Sequence, residues 1–493
     1  MDNVPIIKMG LIAVSRDAFP AQLSIKRRNA VAAACREKSI EIVELETIVE
    51  NDSDVITALR EIEDKGVNCL TIYLGNFGPE GPTTLLTQRF RGPVMITAAA
   101  EDSGKDLIHG RGDAYCGLLS TSYSLGLRRL SPYMPENPIG DPGDVASMIA
   151  EFIPIARIVQ GVRNLKIFSF GPRPFDFLTC HAPIQPLFDL GIEIMENSEL
   201  DLYDIVRAED NNPDIEAVAR EMADELGKGN TYPDLLNKLA QYEIALEKFM
   251  NANLGISQYG AFANKCWPAF EKYFGHVPCY MNSRLASRGI PVACEADIYG
   301  SLSEYMAICA TLMPPAILDI NNTVPKDMYA ESADTIGDYK LDDLWMGFHC
   351  GNTTTSCIVQ PIMQHQLIMH RLMEPGQEPN ITRGTIEGQI KSGPVSIFRL
   401  QATAEAQVKA YVAHGEVLNI NPKSFGCIGV FGVKEMARFY RHVLIEHRFP
   451  HHTAVAFAHA GKSLFAASKM LGVGDVYFNL PQHLYYPTEN PFS

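Results

Sequence analysis

Apolar residues in this 493-residue chain fall into short runs separated by amphipathic stretches. Residues 8–14, 40–45, 69–74 and 94–98 are apolar runs of strand length, and the segments leading through Arg27 to Lys38 and from Ser53 to Lys65 have helical character. Strands alternating with helices at this spacing predict a parallel, doubly wound sheet. A helix entered at Pro142-Gly143-Asp144 and running to about Gln160 closes the first series, since Asp144 supplies an acceptor for the free N–H groups of its first turn. A second series follows, with apolar runs at 165–169, 192–195 and 256–262 and a polar helical scaffold over 210–255.

The period changes after about residue 360. Residues 384–389, 393–400, 408–412 and 416–420 read as short strands between turns, which predicts an antiparallel β module, a small barrel or sandwich. The expected fold is therefore α/β. Two consecutive doubly wound, Rossmann-like domains, 1–160 and 161–355, precede a β-rich, barrel-like domain at 356–493.

Within the second series, residues 291–323 (PVACEADIYGSLSEYMAICATLMPPAILDINNT) hold two apolar runs, each ending on an acid, joined by one helix. That is the pattern of a βαβ unit, and it places Glu295 and Asp319 side by side beyond the carboxyl ends of neighbouring strands, where open α/β sheets bind ligands. Helix caps or solvated turn acids fit the same spacing.

Composition narrows the function. The chain carries 58 acidic and 42 basic residues, a net charge of −16, which opposes nucleic acid and anionic membrane surfaces as partners. No uninterrupted apolar run approaches the ~20 residues of a membrane span, and the start MDNVPIIK lacks the pattern of a secretory signal, so a cytoplasmic location is expected. Eleven cysteines without a Cys-x-x-Cys pair argue against a disulfide framework or a zinc knuckle. The first strand lacks the Gly-x-Gly-x-x-Gly turn of a dinucleotide site.

Glu295, Asp319 and one imidazole of His451-His452 form a carboxylate, carboxylate, imidazole set. Hard oxygens with one imidazole suit Mn²⁺, with Mg²⁺ or Co²⁺ as substitutes, better than structural zinc. A surface histidine pair is the competing reading of His451-His452. Arg16, after the first strand, suits a substrate anchor or a surface ion pair. Trp267 beside Lys265 suits a sugar face or core packing, and His349 at a strand end is a further candidate, with a satisfied core or edge histidine as the competing reading.

The segments CWP (266–268), ACEADIYG (293–300), LDINN (318–322), HCGN (349–352), GTIEG (384–388), SGPVSIFRL (392–400) and PHHTAV (450–455) together resemble the L-fucose isomerase and L-arabinose isomerase superfamily. Asp at the second acidic position looks closer to the fucose branch. The resemblance implies aldose–ketose isomerisation through a cis-enediol, with Mn²⁺ held by Glu295, Asp319 and His452, or by His451 if the pair is shifted by one. It implies that Glu295 and Asp319 also transfer the proton. It brings Arg16, Lys265, Trp267, Asn322 and His349 forward as substrate contacts. A homo-oligomer, trimer or hexamer, with a site shared between subunits is implied as well. The sugar is left open among pentoses, hexoses, deoxy sugars and anionic sugars. The competing functions are a metal-dependent epimerase or lyase on the same scaffold and a non-catalytic sugar-binding protein.

Overall fold

The computed structural model describes residues 1–105, 107–108, 110–366 and 382–492. Its chain divides into two units, one of Pro5–Gln160 and one of Met1–Val4 with Gly161–Ser493.

The Pro5–Gln160 unit is built on β1 (Met9–Val14), β2 (Val43–Val49), β3 (Cys69–Leu74), β4 (Val94–Ala99) and β5 (Ile139–Gly140). They form one parallel sheet in the order β2-β1-β3-β4-β5. Strands covered by helices on both faces must be apolar at every position, and β1, β3 and β4 are buried throughout. The helix Asp52–Asp64 begins at a reciprocal cap, in which Asn51 accepts from the Asp54 N–H and Asp54 accepts from the Asn51 N–H. On the helix Ala114–Leu127, Tyr115, Leu119, Tyr123 and Leu127 recur every fourth residue and are 66–71% exposed, an apolar stripe facing out. The helix Pro142–Arg163 is long and apolar enough to cross a membrane by length and composition, which departs from the sequence expectation. Most of it is buried, and Asp144, Glu151 and Arg157 interrupt it, as in the core helix of a globular unit.

The second unit opens with a four-stranded parallel sheet. Its strands β6 (Leu165–Phe170), β7 (Glu193–Asn197), β8 (Tyr259–Ala263) and β9 (Val292–Ala293) lie in the order β7-β6-β8-β9. The remaining strands are β10 (Ala316–Thr323), β11 (Leu344–His349), β12 (Ile362–His365), β13 (Arg383–Gln389), β14 (Gly393–Ala402), β15 (Val408–Leu418), β16 (Cys427–Gly432), β17 (His452–Ala456) and β18 (Asp475–Phe478). These form one mixed sheet, and pairing of β15 with β16 closes β10, β11, β16, β15, β14 and β17 into an antiparallel ring. The α/β class with two parallel sheets and a β-rich barrel is thus the observed fold.

Two expectations are corrected. Residues 291–323 do not form a βαβ unit, because β9 ends the parallel sheet while β10 joins the barrel between β11 and β17. The reason is the intervening helix, Ile298–Thr311. Every residue from Tyr299 to Cys309 is buried, and the helix packs against β8 and β9 on one side and β14 and β17 on another. A helix buried on every face separates two sheets instead of covering one. For the same reason residue 355 is not a boundary between sheets, since the barrel takes β10 and β11 from before it.

Candidate active site

Glu295 sits in the turn between β9 and the buried helix. Its backbone is left-handed (φ 54°, ψ 25°), as is that of Ala296 (φ 57°). Two successive non-glycine residues in that region are held only where surroundings over-determine them, a common mark of functional sites. Hydrogen bonds from the Ala296 N–H to the Asn264 carbonyl at 2.8 Å and from the Asn264 N–H to the Ala293 carbonyl at 3.0 Å fix this turn. Glu295 is 8% exposed, and its Oε2 is buried with no hydrogen-bond partner among the described residues.

The barrel supplies the facing groups. Asp319 on β10 lies directly opposite His452 on β17 in the antiparallel register. Nε2 of His452 is 3.4 Å from Asp319 Oδ1 and 3.5 Å from Glu295 Oε2. His451 Nε2 is 3.5 Å from the same Asp319 oxygen, and His349 Nε2 is 3.9 Å from Glu295 Oε2. The two acids expected from one βαβ unit therefore meet across a sheet-to-barrel junction, with the His452 imidazole between them.

Two residues that sequence reasoning did not single out complete the arrangement. Asp297 accepts from the Gly300 N–H at 2.9 Å and so caps the buried helix, the role one sequence reading had offered for the two candidate acids. Its carboxylate also bonds His452 Nδ1 at 2.8 Å and receives both arms of the Arg399 guanidinium at 2.6 and 2.8 Å. Arg399 is fully buried on β14 and further donates to Gln401 Oε1. The available signals were an acid two residues past Glu295 and a lone arginine inside the apolar strand VSIFRL.

Electrostatics follow from this packing. Burial, with the Asp319 charge adding to it against His452, raises the Glu295 carboxyl to about 7, and burial raises Asp319 as well. Burial opposes the charged form of Asp297, but the Arg399 guanidinium and the His452 bond outweigh it and hold this carboxyl well below the usual range. Burial pulls His452 down, yet the Asp297 bond prevails and its pKa is raised. His349 and His451 are lowered, chiefly by burial and then by neighbouring imidazoles, to about 3 and about 4, so both rings are neutral near pH 7.

Glu295, Asp319, His349, His451 and His452 border a cavity of about 290 Å³ whose other walls include Phe177, Trp267, Phe348, Cys350 and Gln366. His349 and Trp267 line it. Lys265 and Asn322 do not: Lys265 is buried and paired with Glu199 at 3.2 Å, and Asn322 is exposed and bonded to Asn321. Arg16 belongs to the Pro5–Gln160 unit. There its N–H donates to Asn76 Oδ1 at 3.0 Å, its guanidinium lies 3.4 Å from Glu80, and it stacks over Phe77.

The donor set fits a hard divalent cation. Its donors are carboxylate oxygens and imidazole nitrogens, Asp319 and Glu295 each stand 3.4–3.5 Å from His452 Nε2, and Glu295 Oε2 is buried with no partner among the described residues. Among the described residues, the donor groups whose atoms lie within 4.8 Å of one another are Asp319 with His451 and His452, Cys180 with Asp297 and His452, and Cys294 with Glu295 and His349, so Glu295 and Asp319 each approach His452 but fall in separate groups. Burial raises the Cys180 thiol to about 11, and the Cys266 contact together with burial raises Cys294 well above its usual value. Both thiols are held protonated in the metal-free protein, and a hard cation prefers carboxylate oxygen and imidazole to sulfur.

Fold and site together define a sugar-isomerase type of architecture, in which one parallel sheet and the barrel of the Gly161–Ser493 unit bring two acids and an imidazole to one cavity. The profile described as "Fucose/sulfoquinovose isomerase, N-terminal domain" matches residues 10–163, and that described as "L-fucose isomerase, C-terminal domain" matches residues 347–478. The chain belongs to the fucose/sulfoquinovose isomerase family, whose members are aldose–ketose isomerases. Among curated proteins, it is similar to a sulfoquinovose isomerase of Alkalicoccus urumqiensis, at 24% identity over 69% of this chain and 70% of the relative. It is also 22% identical to a sulfoquinovose isomerase of Priestia aryabhattai over 90% of this chain and 94% of the relative, and equally to that of Priestia megaterium.

Proposed function

We propose that this chain interconverts an anionic aldose of the sulfoquinovose type and its ketose. Glu295, Asp319 and His452 would hold a divalent cation, Mn²⁺ in the first place, and Glu295 and Asp319 would be the proton-transfer pair. The approach of both carboxylates to His452 Nε2, at 3.4 and 3.5 Å, carries the reading. Relatives named sulfoquinovose isomerase that align along nearly the whole chain support the choice of sugar.

Isomerisation breaks the C2–H bond, forms a C1–H bond and moves the hydroxyl proton from O2 to O1. The reacting carbons must be held where one carboxylate takes the C2 proton and a carboxylic acid returns one at C1. Burial raises the proton affinity of both Glu295 and Asp319, which suits groups that must alternate between the two forms. Phe177, Trp267 and Phe348 line the same cavity and exclude water from the reacting carbons. Asp297 fixes the His452 ring through Nδ1, so that Nε2 faces the carboxylates. A divalent cation at these three residues would supply Lewis-acid stabilisation of charge on O1 and O2.

The exposed stripe of Tyr115, Leu119, Tyr123 and Leu127 supports a homo-oligomer, since contiguous apolar faces of this kind mark association surfaces.

The test is turnover of the Mn²⁺-loaded protein with sulfoquinovose, L-fucose, L-arabinose and D-glucose, followed in D₂O. Ketose formation from sulfoquinovose with deuterium at C1 or C2, and kcat/KM at least about tenfold above the neutral sugars, is expected, because one charged contact is worth about that factor. Faster turnover of a neutral aldose would overturn the sugar assignment. Label at another carbon without ketose would overturn the reaction.

A further inference from the structure

Gln366 follows β12 at the wall of the active-site cavity and is 1% exposed. Its backbone is fixed: the Gln366 N–H donates to the Thr382 carbonyl at 2.7 Å, one step beyond the paired residues His365 and Arg383. Its side chain is not. Among the described residues, neither Nε2 nor Oε1 has an oxygen or nitrogen hydrogen-bond partner, although both atoms are buried. The amide hydrogen-bonds the neighbouring Cys350 thiol and lowers it against the larger push of burial, and sulfur is a weak partner that leaves most of the amide's donor and acceptor capacity unused.

A buried amide without partners costs stability, and one that only braced the fold would be bonded to it. Glu295, Asp319 and the histidines that line the same cavity all titrate. Gln366 offers a donor and an acceptor that do not change with pH. A primary amide presents them side by side, which matches two adjacent hydroxyls of a sugar chain, one accepting from Nε2–H and the other donating to Oε1.

We infer that Gln366 is a specificity-determining residue that reads a pair of substrate hydroxyls at C3 and beyond, an assignment resting on the isomerase reading above. The carboxylates serve C1 and C2, so the amide is left for the non-reacting part of the chain. Sites built to bond a hydroxyl discriminate sharply against analogues lacking it, because the protein group is then buried unpaired.

The experiment compares Gln366→Met with wild type, both Mn²⁺-loaded. Binding of sulfoquinovose and of its 3-deoxy and 4-deoxy analogues is followed by tryptophan fluorescence, for which Trp267 in the cavity wall is the reporter. The variant should bind sulfoquinovose about tenfold to a hundredfold more weakly, while at least one deoxy analogue binds wild type and variant alike. Its melting temperature should equal or exceed that of wild type, since an unpaired polar group has been removed. Equal weakening for all three sugars, no weakening, or a lowered melting temperature would each overturn the assignment. Should the binding pattern hold while wild type turns over none of these sugars, the isomerase reading fails and the role of Gln366 stands.

Discussion

Asp297 Oδ2 lies 2.8 Å from His452 Nδ1, with both side chains buried. This single carboxylate caps the helix that separates the parallel sheet from the barrel, neutralises Arg399, and sets which nitrogen of His452 faces Glu295 and Asp319. Asp297→Asn keeps the shape but removes the charge. Arg399 is then buried without a counter-ion, which should cost about 3–5 kcal/mol of stability. Affinity for Mn²⁺ should fall about 10–100-fold, as for other losses of a carboxylate behind a ligating histidine. Thermal melts and chelator competition check the two effects separately, and unchanged metal affinity would refute the positioning role.

Glu295→Gln separates chemistry from folding. The carboxyl is buried, its Oε2 is unpartnered, and its pKa is raised to about 7, so in the metal-free protein the neutral amide replaces a group that already resists ionisation. The variant should melt at or above the metal-free wild type, yet gain little stability from Mn²⁺ and lose turnover by at least about a hundredfold. Residual activity above a few per cent would remove Glu295 from the catalytic pair.

Glu304 makes stability depend on pH. It is 3% exposed on the buried helix Ile298–Thr311, and its Oε2 is unpartnered. Burial, then the charge of Asp297, raises its carboxyl from 4.5 to about 8 against the opposing pull of His452 and Arg399. The folded state thus keeps a proton that the unfolded chain releases. Its contribution is full below the unfolded value and is lost as pH rises through the folded one. Glu304→Gln removes that loss, so its advantage in melting temperature over wild type should grow from about pH 5 and level off above about pH 8. A difference that stays constant with pH would exclude Glu304 as the source.

The stripe on the helix Ala114–Leu127 predicts the behaviour of a surface variant. Leu119→Glu with Tyr123→Glu puts two charges on residues that are 66% and 71% exposed, where a monomer would tolerate them within about 0.5 kcal/mol. Light scattering on the full-length protein should show a smaller assembly than wild type, with circular dichroism unchanged. An unchanged mass would show that this face does not associate.

Much of the fold was legible in local pattern. The strands β1, β3 and β4 are buried at each position because helices cover both faces, and they read as apolar runs broken only by Thr71 and Thr97, while the Asn51–Asp54 cap announces the helix it starts. Glu295, Asp319 and His452 stand out as acids and an imidazole at the ends of apolar runs, in segments whose order is shared with a family. What the pattern misled on was connection. Two apolar runs joined by a helix look the same whether both strands share a sheet or, as here, the helix is sandwiched and the second strand enters a barrel.

The sequence by itself determined which segments become strands and helices and which residues could carry charge into a buried place, because period, capping and burial tendency are local properties. Only the tertiary structure decided that Asp319 faces His452 across β10 and β17, that Arg399 reaches Asp297, and that Gln366 turns an unpaired amide into the cavity. Those relations join residues distant in the chain, and their partners are set by the register in which a barrel closes, which no local stretch encodes.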